Sequence, residues 1–216
     1  VSKIKGPFHI GASTTAAAYL LPQVFYSFSK TYPEVTIELS VSNTEKIIND
    51  MHEGRIDMGV VEGNIKNTSA FLEEIADDEI VIIASDDNPL TKKKTLMPHD
   101  LMSQPFIMPE TGSGTREVID DFLYAAGINP GDMKVAMTAG SPELIVQMVQ
   151  AGMGISFVSK WSVFRAIKDG SIKILNITGK KLRRKFYLIS LEKDPSTIAA
   201  RTFREFVKGY RFFVPF

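Results

Sequence analysis

The chain contains no cysteine. That excludes disulfides, thiolate metal sites and thiol nucleophiles together, while leaving the compartment open, since periplasmic proteins can also lack cysteine. An excess of either charge is missing too: Lys+Arg and Asp+Glu both number 25, so the formal net charge is zero. A nucleic-acid-binding domain usually shows a basic excess, and these residues give no such footprint. No apolar run approaches the roughly 18 residues of a membrane span, and the opening VSKIKGPFHIGAS lacks the charged and apolar regions of a secretory signal. His9, His52 and His99 stand far apart with no i,i+3 or i,i+4 partner, which argues against a metal site. No G-x-S-x-G elbow surrounds Ser13, so no nucleophile is expected there and no catalytic residue is assigned. The first residue is valine, so the chain is expected to be an excised or processed piece of something longer.

What is present is ordinary for a globular protein: 216 residues, 44% of them hydrophobic and 23% charged. That length allows one large domain or two small ones. Short apolar strands alternate with amphipathic helices, the pattern of an α/β fold with largely parallel sheets. Strands are expected at residues 8–12, 35–41 (VTIELSV, with one wet face), 57–61, 79–84, 106–108, 135–137, 155–158, 172–175 and 186–191. Helices are expected from the periodicity of Leu20, Leu21, Val24, Phe25 and Phe28, of Ile47, Ile48 and Met51, and of Val118, Ile119, Phe122 and Leu123. Ser141-Pro142 reads as a helix start with Leu144, Ile145, Met148 and Val149 inward. Further helices are expected over residues 159–169 and around Phe203, Phe206, Val207 and Tyr210. The units fall in two groups joined by long apolar strands near residues 79–85 and 186–191. This predicts two α/β lobes, residues 1–80 with 187–216 and residues 81–186, joined by two crossing strands with a ligand cleft between the lobes.

In open α/β sheets, ligands sit beyond the carboxyl ends of strands. The segments there are Ser13-Thr14-Thr15, Glu62-Gly63, Thr111-Gly112-Ser113-Gly114-Thr115-Arg116 and Gly140-Ser141. The glycine-rich PETGSGTRE stretch is no P-loop, which needs G-x-x-x-x-G-K-[ST]. It does suit a small anion, because a helix start offers unpaired N–H groups and the positive end of a dipole. Simple capping, turn geometry and an Arg116–Asp120 surface pair are the plainer uses of the same residues. Thr115→Val and Ser13→Ala are expected to weaken ligand binding while leaving the melting temperature nearly unchanged. The acidic run 73–79 and the basic runs 92–94 and 180–185 are expected to be solvated faces.

Three stretches carry a family resemblance: GASTTAAAYLLPQVFYSFSKTYPEVTIELSV, MHEGRIDMGVVEG with Gly54, Ile56, Asp57 and Gly59, and VQAGMGISFVS over residues 149–159. In this order and spacing they resemble the effector-binding domain of LysR-type transcriptional regulators, nearly end to end. The resemblance implies a type 2 periplasmic-binding-protein fold, a small-molecule inducer and no cofactor. It also implies a homodimer, or a tetramer at full length, with a cytoplasmic location and no membrane. DNA would be bound only through an N-terminal winged helix-turn-helix preceding Val1. Inducer contacts are expected from Ser13, Thr14, Thr15, Glu62, Gly63, Thr111, Gly112, Ser113, Gly114, Thr115, Arg116 and Ser141, with an anion favoured. GSGTR looks like a variant from branches tied to sulfur assimilation or carbon fixation. A solute-binding protein of a transporter is the alternative, and an enzyme on the same fold lacks a paired acid and base.

Overall fold

The computed structural model describes residues 4–65, 68–179 and 181–212. Strand β1 (Gly6–Ser13) runs through a π-helical turn, Ala16–Leu20, into α1 (Leu21–Thr31). Pro22 sits in the first turn of α1, where its missing N–H costs nothing, and the helix stops before Pro33. Next come β2 (Val35–Ser42), α2 (Thr44–His52), β3 (Met58–Glu62) and the fifteen-residue β4 (Phe71–Ser85). The chain continues through β5 (Phe106–Pro109), α3 (Gly114–Ala125), β6 (Val135–Ala139), α4 (Pro142–Gln150), β7 (Ser156–Ser159) and α5 (Lys160–Lys168). It closes with β8 (Ile172–Leu175), β9 (Leu182–Ser190) and α6 (Ile198–Lys208).

These elements form two compact units. The first holds the described residues up to Asp77 and from Lys185 onward, and the second holds Asp78–Arg184. The chain therefore passes from one unit to the other inside β4 and again inside β9.

In the first unit β1 pairs in parallel with both β2 and β3, Ile10 lying opposite Leu39 and Met58. The Lys185–Ser190 part of β9 adds antiparallel to β3, with Val60 opposite Leu188. An aromatic cluster fills one side: the Phe203 ring of α6 lies 5.1 Å from both Phe8 and Phe28, and all three are fully buried. Burying each ring contributes about 1.5–3 kcal/mol. Helix α2 and the turn after it lie so close to the sheet that a Cβ on Gly11 would meet Ile56 at 2.5 Å and Ile47 at 3.0 Å, and one on Gly59 would meet Ile47 at 2.8 Å. Any larger residue at these two places would force the neighbouring isoleucine side chains to shift.

In the second unit β4 pairs antiparallel with β7 and β8, Ile82 lying opposite Phe157 and Leu175. β5 and β6 form a separate parallel pair, Pro109 opposite Ala139. Helix α3 sends Val118, Ile119 and Leu123 into a core with Phe106 and Phe157. Helices α4 and α5 build a second core, with Ile145, Val149 and Val163 against Val81, Ile83 and Val158.

Several expectations need correction. The pairing is mixed rather than largely parallel, because β7, β8 and β9 all run antiparallel to their partners. β2 is wet on both faces, with Leu39 and Val41 exposed, since it pairs only along β1 and little covers it. Leu144 is exposed, and Val146 takes its inward place in α4. The charge runs are not simple solvated faces. Asp78 of the acidic run and Arg184 of the basic run are buried, and Glu73 is held by the Arg204 guanidinium. Lys180 lies outside the described residues.

Candidate ligand site

The parallel pairing of β5 and β6 brings their carboxyl ends to one edge, so the Thr111–Arg116 and Gly140–Ser141 segments leave the sheet side by side. Gly112 has φ 80°, a left-handed conformation that turns the chain toward α3 and that other residues rarely adopt. Ser113 caps α3, its Oγ accepting from the Thr115 N–H at 3.2 Å. Among the described residues no backbone carbonyl accepts from the N–H of Gly112 or Gly114. Two donors at the positive end of a helix dipole thus stand ready for an anion.

Arg116 takes the plainer of its two expected roles. Its Nε donates to both carboxylate oxygens of Asp120, at 2.9 and 3.0 Å, and Nη1 donates to the Pro109 carbonyl at 3.3 Å. The guanidinium ties α3 to the end of β5. Ser141 likewise caps α4, accepting from the Leu144 N–H at 3.3 Å and donating to Glu143 at 2.8 Å. A Cβ at Gly140 would come within 3.0 Å of the Glu110 carboxylate. With Glu110 and Glu143 around it, the Ser141 end is the less favourable place for negative charge.

Thr115 leads to residues that sequence inspection missed. Its hydroxyl oxygen accepts from Arg184 Nη1 at 2.8 Å. Arg184 Nε donates to Asp78 Oδ2 at 2.7 Å, and Ser159 Oγ donates to Asp78 Oδ1 at 2.8 Å. Ser159 also caps α5 by accepting from the Trp161 N–H. The Asp78 and Arg184 side chains are 0% exposed. One buried network thus joins β4, β9, the start of α3 and the end of β7. Close by in β4, burial pushes the Glu79 carboxyl up, but Lys181 and Lys160 outweigh it and hold the group below its ordinary value.

In the first unit, Ser13 and Glu62 lie at the carboxyl ends of β1 and β3, each only 2% exposed. The Ser13 hydroxyl donates to the Glu62 carboxylate and accepts from the Ala16 N–H at 3.2 Å. Thr44 Oγ1 donates to the Glu62 carbonyl at 3.0 Å. Gly63 follows with φ 124°, which lets the chain turn away. Thr15 is buried and Thr14 half-buried, and Thr15 makes no side-chain cap. Because Ser13 serves Glu62 and the helix start together, Ser13→Ala cannot be neutral for stability as expected. Thr115→Val would similarly strand part of Arg184. Asp57 orders the entry to β3, its carboxylate accepting from the His9 N–H at 2.9 Å.

Among the described residues no cluster of His, Cys, Asp or Glu could hold a metal ion, and no helix is long and apolar enough to cross a membrane. The LysR substrate binding domain family matches residues 2–211. The chain belongs to this family. Its relatives are transcriptional regulators rather than transport proteins or enzymes. The chain is 30% identical over 203 residues to an uncharacterised HTH-type transcriptional regulator, MJ0300, of Methanocaldococcus jannaschii, covering 94% of this chain and 68% of that one. It is 34% identical over 191 residues to a probable RuBisCO transcriptional regulator of Trieres chinensis, covering 86% and 62%. Among solved structures it resembles the regulatory domain of CcmR from Synechocystis PCC6803 in complex with 2-PG. That match has TM-score 0.85 and 26% identity, over 94% of this chain and 96% of the other. The fold is that of a LysR effector-binding domain. The chain spans 60–68% of the length of such curated relatives.

Proposed function

We propose that this domain senses a small anionic metabolite on behalf of a longer, cytoplasmic, DNA-binding regulator that works as a homodimer or tetramer. The observation that carries this is the start of α3, where Gly112 and Gly114 leave backbone donors available beside the Thr115 hydroxyl. Thr111, Gly112, Ser113, Gly114 and Thr115 hold the negative end of the ligand. Arg116 contributes its positive charge and braces the loop through Asp120 and Pro109. Ser141 serves as a peripheral contact.

In the first unit, Ser13, Thr14, Thr15, Glu62 and Gly63 are the ligand-contact residues. A buried carboxylate such as Glu62 disfavours a second negative charge nearby, so the group beside it is uncharged or donates hydrogen bonds. The CcmR complex with 2-PG supports a small ligand for this fold. Ligand controls transcription only if it binds two states of the regulator with different affinity.

Calorimetry with 2-PG and with inorganic sulfate tests the site. Wild type is expected to bind at least one of them, and Thr115→Val should bind it roughly tenfold to a hundredfold more weakly, as suits one charge-assisted hydrogen bond. Equal affinity in both proteins would place the anion elsewhere.

A further inference from the structure

We infer that Arg184 is a specificity-determining residue, which fixes Thr115 as a hydrogen-bond donor and thereby requires an acceptor at this end of the ligand, so that carboxylate, sulfate or phosphate fits and a pure donor such as an ammonium does not. The inference rests on the proposed placement of the ligand's negative end at α3. A threonine hydroxyl can ordinarily rotate to donate or to accept, and so would admit a pure donor such as an ammonium as readily as an anion. Arginine has no acceptor and does not deprotonate. In the 2.8 Å contact with Nη1, Thr115 Oγ1 is therefore the acceptor, and its own proton points away from the guanidinium. The positive charge beside the oxygen also strengthens the O–H as a donor.

Asp78 holds Arg184 in this role. Nε is tied to Asp78 Oδ2 at 2.7 Å, and the other Asp78 oxygen is occupied by Ser159 at 2.8 Å. With both charged side chains 0% exposed, the guanidinium cannot swing into solvent. Asp78 balances the cation's charge, so what reaches the ligand is mainly the orientation of one hydroxyl. Thr115 itself is 7% exposed, and among the described residues its hydroxyl has no other hydrogen bond. Ser113, two residues earlier, differs: its Oγ already accepts from the Thr115 N–H, and it keeps the freedom to donate. Arg184 thus acts on one ligand contact and positions it through a side chain 69 residues away in sequence.

The test is a thermodynamic cycle by calorimetry, with 2-PG and inorganic sulfate as probes. Thr115→Val is made in wild type and in the neutral pair Asp78→Asn/Arg184→Gln, whose folding is checked by circular dichroism. The expected result is a loss of tenfold or more on Thr115→Val in wild type and less than threefold in the neutral-pair background. A merely structural Arg184 would lower stability and affinity yet leave the Thr115→Val factor the same in both backgrounds, and that result overturns the inference. If the neutral pair does not fold, the apolar pair Asp78→Leu/Arg184→Met takes its place; the Thr115→Val factor should again fall below threefold, and an unchanged factor would overturn the inference. Binding of both probes unaffected by Thr115→Val in wild type, or no binding of either, overturns the underlying placement of the ligand and this inference with it.

Discussion

Replacing Asp78 with asparagine keeps the size of the side chain and removes its charge. In the native protein the carboxylate accepts from Arg184 at 2.7 Å and from Ser159 at 2.8 Å, with both members of the ion pair shut off from water. The asparagine oxygen can still take the Ser159 bond, so the damage falls on Arg184, which loses its Asp78 counter-charge in the dry interior. Breaking such a buried pair from one side costs about 3–5 kcal/mol. For a chain of this size each kcal/mol lowers the melting temperature by roughly 2–4 °C, giving a fall of about 6–20 °C. Removing both charges together, as Asp78→Asn/Arg184→Gln, should recover most of that, because no lone charge remains in the interior. Urea denaturation followed by circular dichroism measures both variants. A single variant within about 1 kcal/mol of wild type would refute the reasoning, because it would mean that Arg184 finds water or another anion without Asp78. A neutral pair no more stable than Asp78→Asn would refute it equally.

Four further outcomes are expected. Ser13→Ala should lower stability by about 1–3 kcal/mol, the cost of leaving a buried carboxylate short of a donor, seen as a lower denaturation midpoint; an unchanged midpoint would show that Glu62 does not depend on Ser13. Asp50, hydrogen-bonded by Arg55 and Lys46, has its carboxyl held below the ordinary aspartate value of 3.8, with the Arg55 bond the chief cause. A depressed folded-state value means stability that is present above 3.8 and lost as pH falls through the folded value. Asp50→Asn should therefore be less stable than wild type by about 1 kcal/mol near neutral pH, with the gap closing on acidification below pH 4, as read from denaturation midpoints. Residues 1–216 alone should give no salt-sensitive gel shift with DNA, since 25 basic and 25 acidic residues leave no net charge for phosphate. Sedimentation of the same piece at high micromolar concentration should show a dimer, and monomer alone would count against association through this domain.

Much of the fold was legible because its signals are local. The alternation in VTIELSV, the Ser141-Pro142 start and the 3.6-residue period of Val118, Ile119 and Leu123 each act over a few residues. The hydroxyl- and glycine-rich strand ends were legible for the same reason. What escaped depends on distant partners. Asp78 and Arg184 sit inside charge runs that look solvated, and their pairing joins residues 106 apart. Ser159 meets Asp78 across 81 residues, and Ser13 meets Glu62 across 49. Nothing within either segment distinguishes the one buried charge from its exposed neighbours. Arg116 was legible in the plainer of the two uses the sequence offered, because its partner Asp120 lies only four residues on.

The central claim, that the start of α3 holds the anionic end of a small ligand, is tested most directly by a thermal-shift panel of small carboxylates, phosphates and sulfates, including 2-PG, run in parallel on wild type and Thr115→Val. At least one anion should raise the melting temperature of wild type and do so markedly less for the variant, with each shift measured from that protein's own ligand-free baseline. Equal stabilisation of both proteins, or stabilisation by uncharged compounds only, would contradict it.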